Sequence, residues 1–97
     1  MIDVRRMFAG DGFLITTSDH DTTNILCRHG LIYADGDFLV AALDAGTPAQ
    51  CRALRRLGRP VMDGDRGELS VAFSPVQIAE VARILKPRQS VTARRAA

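Results

Sequence analysis

"LIYADGDFLVAAL", residues 31–43, decides how the rest of this chain is read. Two apolar, partly β-branched runs flank Asp35-Gly36, a dipeptide that readily takes the positive φ values of a primed turn. The stretch therefore predicts a β-hairpin. Directly after it, "TPAQCRALRRLGRP" (47–60) carries the punctuation of a helix. Thr47 can cap free amides, Pro48 brings a fixed φ to the first position, Gln50 completes a capping box, and Gly58 and Pro60 stop the run. "SPVQIAEVARILKP" (74–87) repeats that grammar with Ser74, Pro75, Gln77 and Pro87. Cys51, Leu54, Leu57 and Ile78, Val81, Ile84, Leu85 recur at spacings of three and four, which gives each helix one apolar face. Arg52, Arg55, Arg56, Arg59 and Glu80, Arg83 fall on the polar sides.

Further out, "VRRMFAGDGFLITT" (4–17) and "RPVMDGDRGELSVAF" (59–73) read as two more hairpins, the second with a longer loop. Quoted from successive Asp-Gly pairs, residues 11–30, 35–58 and 63–85 each run turn, strand, cap, helix. Aligning Asp19, Thr47 and Ser74 as N-caps superposes Leu26, Leu54 and Val81, then Arg28, Arg56 and Arg83, then His29, Leu57 and Ile84. This internal repeat predicts a helix from Asp19 to His29, with acids at its start, bases at its end and Gly30 as its C′ residue. Thr22, Thr23 and Asn24 within it are poor helix formers that fit a strand equally well. The expected fold is α+β: three ββα-like units, a largely antiparallel sheet covered on one face by helices, and polar strands exposed on the other.

Ninety-seven residues suffice for one core, and 46% hydrophobic with 25% charged residues is ordinary for a globular chain. The net charge of +2 hides an asymmetry. From Arg83 onward the chain carries +5 with no acid, and the remainder sums to −3. The division expected is a single compact domain over 1–86 and a basic, flexible tail over 87–97. The start, "MIDVRRMFAG", lacks the apolar run of a signal peptide, and nowhere are there about 18 consecutive apolar residues, so the expectation is a cytoplasmic protein with no membrane partner. Cys27 and Cys51 are too few for a disulfide framework and read as small buried hydrophobes. Twelve Arg against one Lys suits a bacterial or phage genome rich in G and C.

Arg28-His29-Gly30 resembles the tripeptide that heads the pocket of the histidine phosphatases, where the imidazole attacks a phosphate. The resemblance ends there. That family's pocket needs a second histidine and another arginine from far along a larger α/β domain, whereas the other histidine here, His20, comes earlier and Gly30 leads straight into "LIYA". His29 is expected instead to be a partly buried helix-end residue. A metal site drawn from His20, Cys27, His29 and Cys51 lacks paired ligands at short spacing, since Cys27-x-His29 is too tight. "MDGDRGE" resembles a fragment of a calcium loop without the closing bidentate Glu, and turn chemistry accounts for the Asp-Gly pairs. Ser70 and Thr16 sit in strands with no base in view. No phosphate-cradling loop or nucleophile elbow is present, so neither catalysis nor a cofactor is expected.

These features point to a small non-enzymatic protein-interaction module (an inhibitor, adaptor or assembly subunit) whose partner is another protein, with a homo-oligomer compatible with the same features. The alternative is a nucleic-acid-binding protein. It would use Arg52, Arg55, Arg56 and Arg59 of the arginine-rich helix 48–59 together with Arg88, Arg94 and Arg95 of the basic tail. Against it, the aromatic residues Phe8, Phe13, Phe38, Phe73 and Tyr33 mostly fall at core-like positions and leave few stacking platforms, and the body is acidic.

Overall fold

The computed structural model describes residues 1–17, 22–64 and 66–90. In chain order it contains α1 (Val4–Met7), β1 (Ile15–Thr17), β2 (Thr23–Cys27), β3 (Gly30–Asp35), β4 (Phe38–Leu43), α2 (Pro48–Arg55), β5 (Arg59–Asp63), β6 (Leu69–Phe73) and α3 (Ile78–Leu85), the last entered through a 3₁₀ turn over Pro75–Gln77. The six strands form one antiparallel sheet in the order β1-β2-β3-β4-β6-β5. The molecule is therefore α+β, a sheet of four meandering strands extended by a second hairpin whose outer member, β5, forms the edge.

The hairpin at 31–43 has the register Asp35↔Phe38, which leaves Gly36-Asp37 as its two central residues. Gly36 takes φ +63° and Asp37 does not, the pattern of a turn with glycine at its first central position. The helix at 48–55 is capped as its sequence specifies. Thr47 Oγ1 accepts from the amide of Gln50 at 3.1 Å, and Gln50 Oε1 accepts from the amide of Thr47 at 2.8 Å. The entry to α3 is looser, because only the Ser74 amide to Gln77 Oε1 bond forms, at 3.4 Å, and the backbone makes a 3₁₀ turn before Ile78.

Two expectations change. Residues 23–27 form β2, paired with β1 through Ile15↔Ile25 and with β3 through Ile25↔Ile32, and they are not a helix. The proposed cap Asp19 lies outside the described residues. Ile25 and Cys27 turn inward and Leu26 outward, the alternation of a strand, and β-branched Thr23 and Ile25 suit it. The first of the three ββα-like units thus has no helix at that position, and His29, aligned with Leu57 and Ile84, sits in the turn joining β2 to β3. Gly30 just beyond has φ +149°, and a Cβ there would lie 1.9 Å from the carbonyl oxygen of Ala42, so the close pairing of the start of β3 with the end of β4 requires glycine. Likewise "VRRMF" is one helical turn and not a strand. Asp3 Oδ1 accepts from the Arg6 amide at 3.3 Å, and Val4 and Phe8, one turn apart, are both buried.

Register divides the strand residues between the two sides of the sheet. Ile25, Ile32, Ala41 and Val71 lie side by side on one, with Leu39 beside Phe73 and Leu43 beside Leu69. They belong to one buried cluster with Val4 and Phe8 from the first turn, Leu54 of α2, and Val81 and Leu85 of α3. Each of these side chains larger than alanine contributes on the order of 1.5–3 kcal/mol by leaving water.

The chain leaving α3 returns to the sheet. Arg88 donates its amide to the carbonyl of Leu26 and accepts from the amide of Leu14, at 2.8 and 2.7 Å, and Ser90 donates to Gly12 at 2.9 Å. Isolated bridges Phe13↔Gln89 and Cys27↔Pro87 mark the same seam. Residues 87–90 of the segment expected to be a flexible tail are thus joined to the body by backbone hydrogen bonds, and 91–97 lie outside the described residues.

Candidate functional site

Where Ile25, Ile32, Ala41 and Val71 face one way, the residues between them face the other. Asn24, Tyr33, Val40, Ala72 and Arg59 form one cross-strand row, and Leu26, Leu31, Ala42, Ser70 and Met62 the next. This second side is predominantly apolar, which corrects the expectation of polar exposed strands. Val40 is buried and stands outside the main core cluster. Leu26, Leu31, Tyr33, Ala42 and Ala72 are half-buried. The sequence signal was available: "FLVAAL" and "LSVAF" are nearly continuous apolar runs, as expected of strands with apolar surroundings on both sides, and not alternating ones.

Exposed anchors stand at the two ends of this side. Phe38 opens β4 in the same parity as Val40 and Ala42 and is 53% exposed. It borders a recess of about 340 Å³ lined also by Leu57, Gly58, Arg59, Ala72 and Gln77. Met62, 47% exposed, borders a second recess of about 490 Å³ with Leu31, Ala42 and Ser70 at its floor and Arg28, His29, Asp44 and Glu68 around it. His29 is held there by its backbone: its amide donates to Leu85 at 3.0 Å and its carbonyl accepts from Asp44 at 2.8 Å. Close to Phe38 the chain start is tied to the β3–β4 turn. The Ile2 amide donates to Gly36 at 3.0 Å, and the α-amino group pairs with Asp37 at 3.4 Å.

The arginines singled out from sequence are dispersed. Arg52, Arg55 and Arg56 are exposed at α2, where Arg55 donates to Asp63 of β5. Arg59, expected on the helix, opens β5 opposite Ala72. Arg88 belongs to the seam after α3, and Arg94 and Arg95 lie outside the described residues. Of the candidate metal ligands, Cys27 is buried, Cys51 half-buried and His29 in its turn, with His20 outside the described residues. Among the described residues no three His, Cys, Asp or Glu side chains gather as a metal site would require. Burial pushes the Cys27 thiol up to about 12, partly countered by the nearby Arg88 guanidinium. No described helix is long and apolar enough to cross a membrane. Comparison with known protein families, with curated proteins and with solved structures finds no match to the chain.

Proposed function

We propose that the chain is a non-enzymatic protein-interaction module, an inhibitor, adaptor or assembly subunit, that docks a protein partner on the apolar side of its sheet. In this reading the helices cover one side and leave the other for the partner. The observation that carries it is the pair of rows from Phe38 and Tyr33 to Met62, an apolar strip ending in two exposed anchors. Aromatic residues and methionine are enriched in the desolvated centres of protein interfaces, and a polar rim of the kind made here by Arg59, Asp44 and Glu68 surrounds such centres. The nucleic-acid alternative draws less support, because Arg55 already has a carboxylate partner and Arg59 lies away from the helix.

A photo-crosslinking residue placed at position 38 or 62, and as a control at Arg52 on α2, tests this in extract of the native host. The expected result is a discrete protein adduct from 38 and 62, absent at 52 and lost in the Tyr33→Ser background. Equal labelling from all three sites sinks the proposal. With the probe at 62, Phe38→Ser serves as a second background: at an exposed position it is expected to alter stability by no more than about 0.5 kcal/mol, so loss of the adduct there cannot be traced to unfolding.

A further inference from the structure

We infer that the recess formed by Arg28, Lys86 and Arg88 binds a phosphate-type dianion. The recess is open, about 380 Å³, and its lining consists of these three cations and Pro87. Backbone pairing brings them together. The bridge Cys27↔Pro87, with the Arg28 amide donating to Lys86 at 2.8 Å and the Arg88 amide to Leu26 at 2.8 Å, sets Arg28 directly across from Lys86 and Arg88 two residues further on. Like charges directly opposite each other in an antiparallel pair are destabilising. Nothing in the lining offsets them: no acid borders the recess, and the ion pairs among the described residues, Met1 with Asp37 and Arg55 with Asp63, lie elsewhere. The carboxyl end of α3 supplies only about half a negative charge against three positive ones.

Lys86 adds a second observation. It caps α3 with φ +58°, the left-handed conformation in which glycine is favoured and a side chain is strained. A lysine is held there against its backbone preference, which sets a third cation beside the two guanidinium groups. Two guanidinium forks match the paired oxygens of a phosphate, and the ammonium adds a point charge, so a group with two or more negative charges fits better than a single carboxylate. Arg28 also borders the recess beside Met62, whereas Lys86 and Arg88 do not, so the response of Lys86→Gly reports on this site apart from the docking proposed for the apolar strip.

Inorganic pyrophosphate is the probe. At ~10 mM, against sodium chloride of equal ionic strength, it is expected to raise the melting temperature of the full chain by about 5 °C or more for a site of roughly millimolar affinity. Lys86→Gly relieves the strained cap, so this variant is expected to melt at or above the wild-type temperature and yet respond to pyrophosphate less than half as much. Arg28→Gln is expected to lose the response as well. A response equal in wild type, Lys86→Gly and Arg28→Gln, or no larger than that to chloride, overturns the inference. A ten-nucleotide deoxythymidine strand distinguishes the two sources of the phosphate group. Competition with pyrophosphate at lower concentration, weakening steeply with salt, identifies a nucleic-acid backbone. Absence of competition, with the pyrophosphate response intact, identifies a free phosphate ligand.

Discussion

Cys27 lies where β2, the seam after α3 and the Arg88 guanidinium meet, and its thiol is pushed from 9.0 up to about 12 by burial. The native state therefore keeps a proton that the unfolded chain releases above about pH 9, so the group adds nothing to the pH dependence below that and subtracts stability between roughly pH 9 and 12. Denaturant titrations should show the stability gap between wild type and Cys27→Ala narrowing as pH rises through that window. A gap constant from pH 8 to 11 would show that the thiol ionises alike in both states. A second pair of residues separates good capping from weak. Thr47→Ala removes the Oγ1 acceptor of a formed bond and should cost about 1 kcal/mol, whereas Ser74→Ala, where the bond in place comes from the Ser74 amide, should cost well under that. Equal losses from the two in thermal melts would count against the loose entry to α3. Sequence identifies both residues as caps, but it does not distinguish them, because the difference arises in the backbone: Pro75–Gln77 closes as a 3₁₀ turn.

At the level of elements, the hairpins at 31–43 and 59–73 and the helices after Thr47 and Ser74 were legible because each rests on local signals, a turn dipeptide or a proline-led cap. Residues 19–29 misled because an apolar run of three, Ile25 to Leu26 to Cys27 with polar flanks, is too short for periodicity to distinguish strand from helix. Two strand partners decided the outcome. The first turn, Val4–Met7, carries its own signals in Asp3, Val4 and Phe8, but four residues give them little length in which to stand out. Least visible was the seam at 87–90, whose hydrogen bonds reach residues more than sixty positions away and leave no mark on local composition. Deleting 87–97 removes the Arg88 and Ser90 bonds and, at about 1 kcal/mol net for each hydrogen bond, should lower the melting temperature by roughly 5 °C or more. Deleting 91–97 alone leaves those bonds in place and serves as the control. Identical melting of the 1–86 and 1–90 chains would show that the seam contributes nothing.

Across the whole molecule, protection should follow the sheet from its centre outward. β4 lies between β3 and β6 and contributes Leu39, Val40, Ala41 and Leu43 to the buried residues, while every residue of β5 is exposed and its pairing is interrupted by an irregularity between Pro60 and Met62. Hydrogen exchange is therefore expected to be slowest in β3, β4 and β6 and faster by orders of magnitude in β5 and the short first turn, since local opening there exposes little apolar area. Uniform exchange would mean that the sheet opens as one unit. The edge strand also limits unwanted pairing between molecules, because Pro60 lacks an amide and the bulge bends the strand. Finally, the seam has a temporal side. A ribosome delivers residues in order at about 5–20 per second, so β1 and β2 emerge seconds before the segment that hydrogen-bonds to Leu14 and Leu26 has been made. During that interval the Leu14 amide and the Leu26 carbonyl stand open on the nascent chain, and translation of residues 86–90 sets the earliest moment at which this side of the sheet can close.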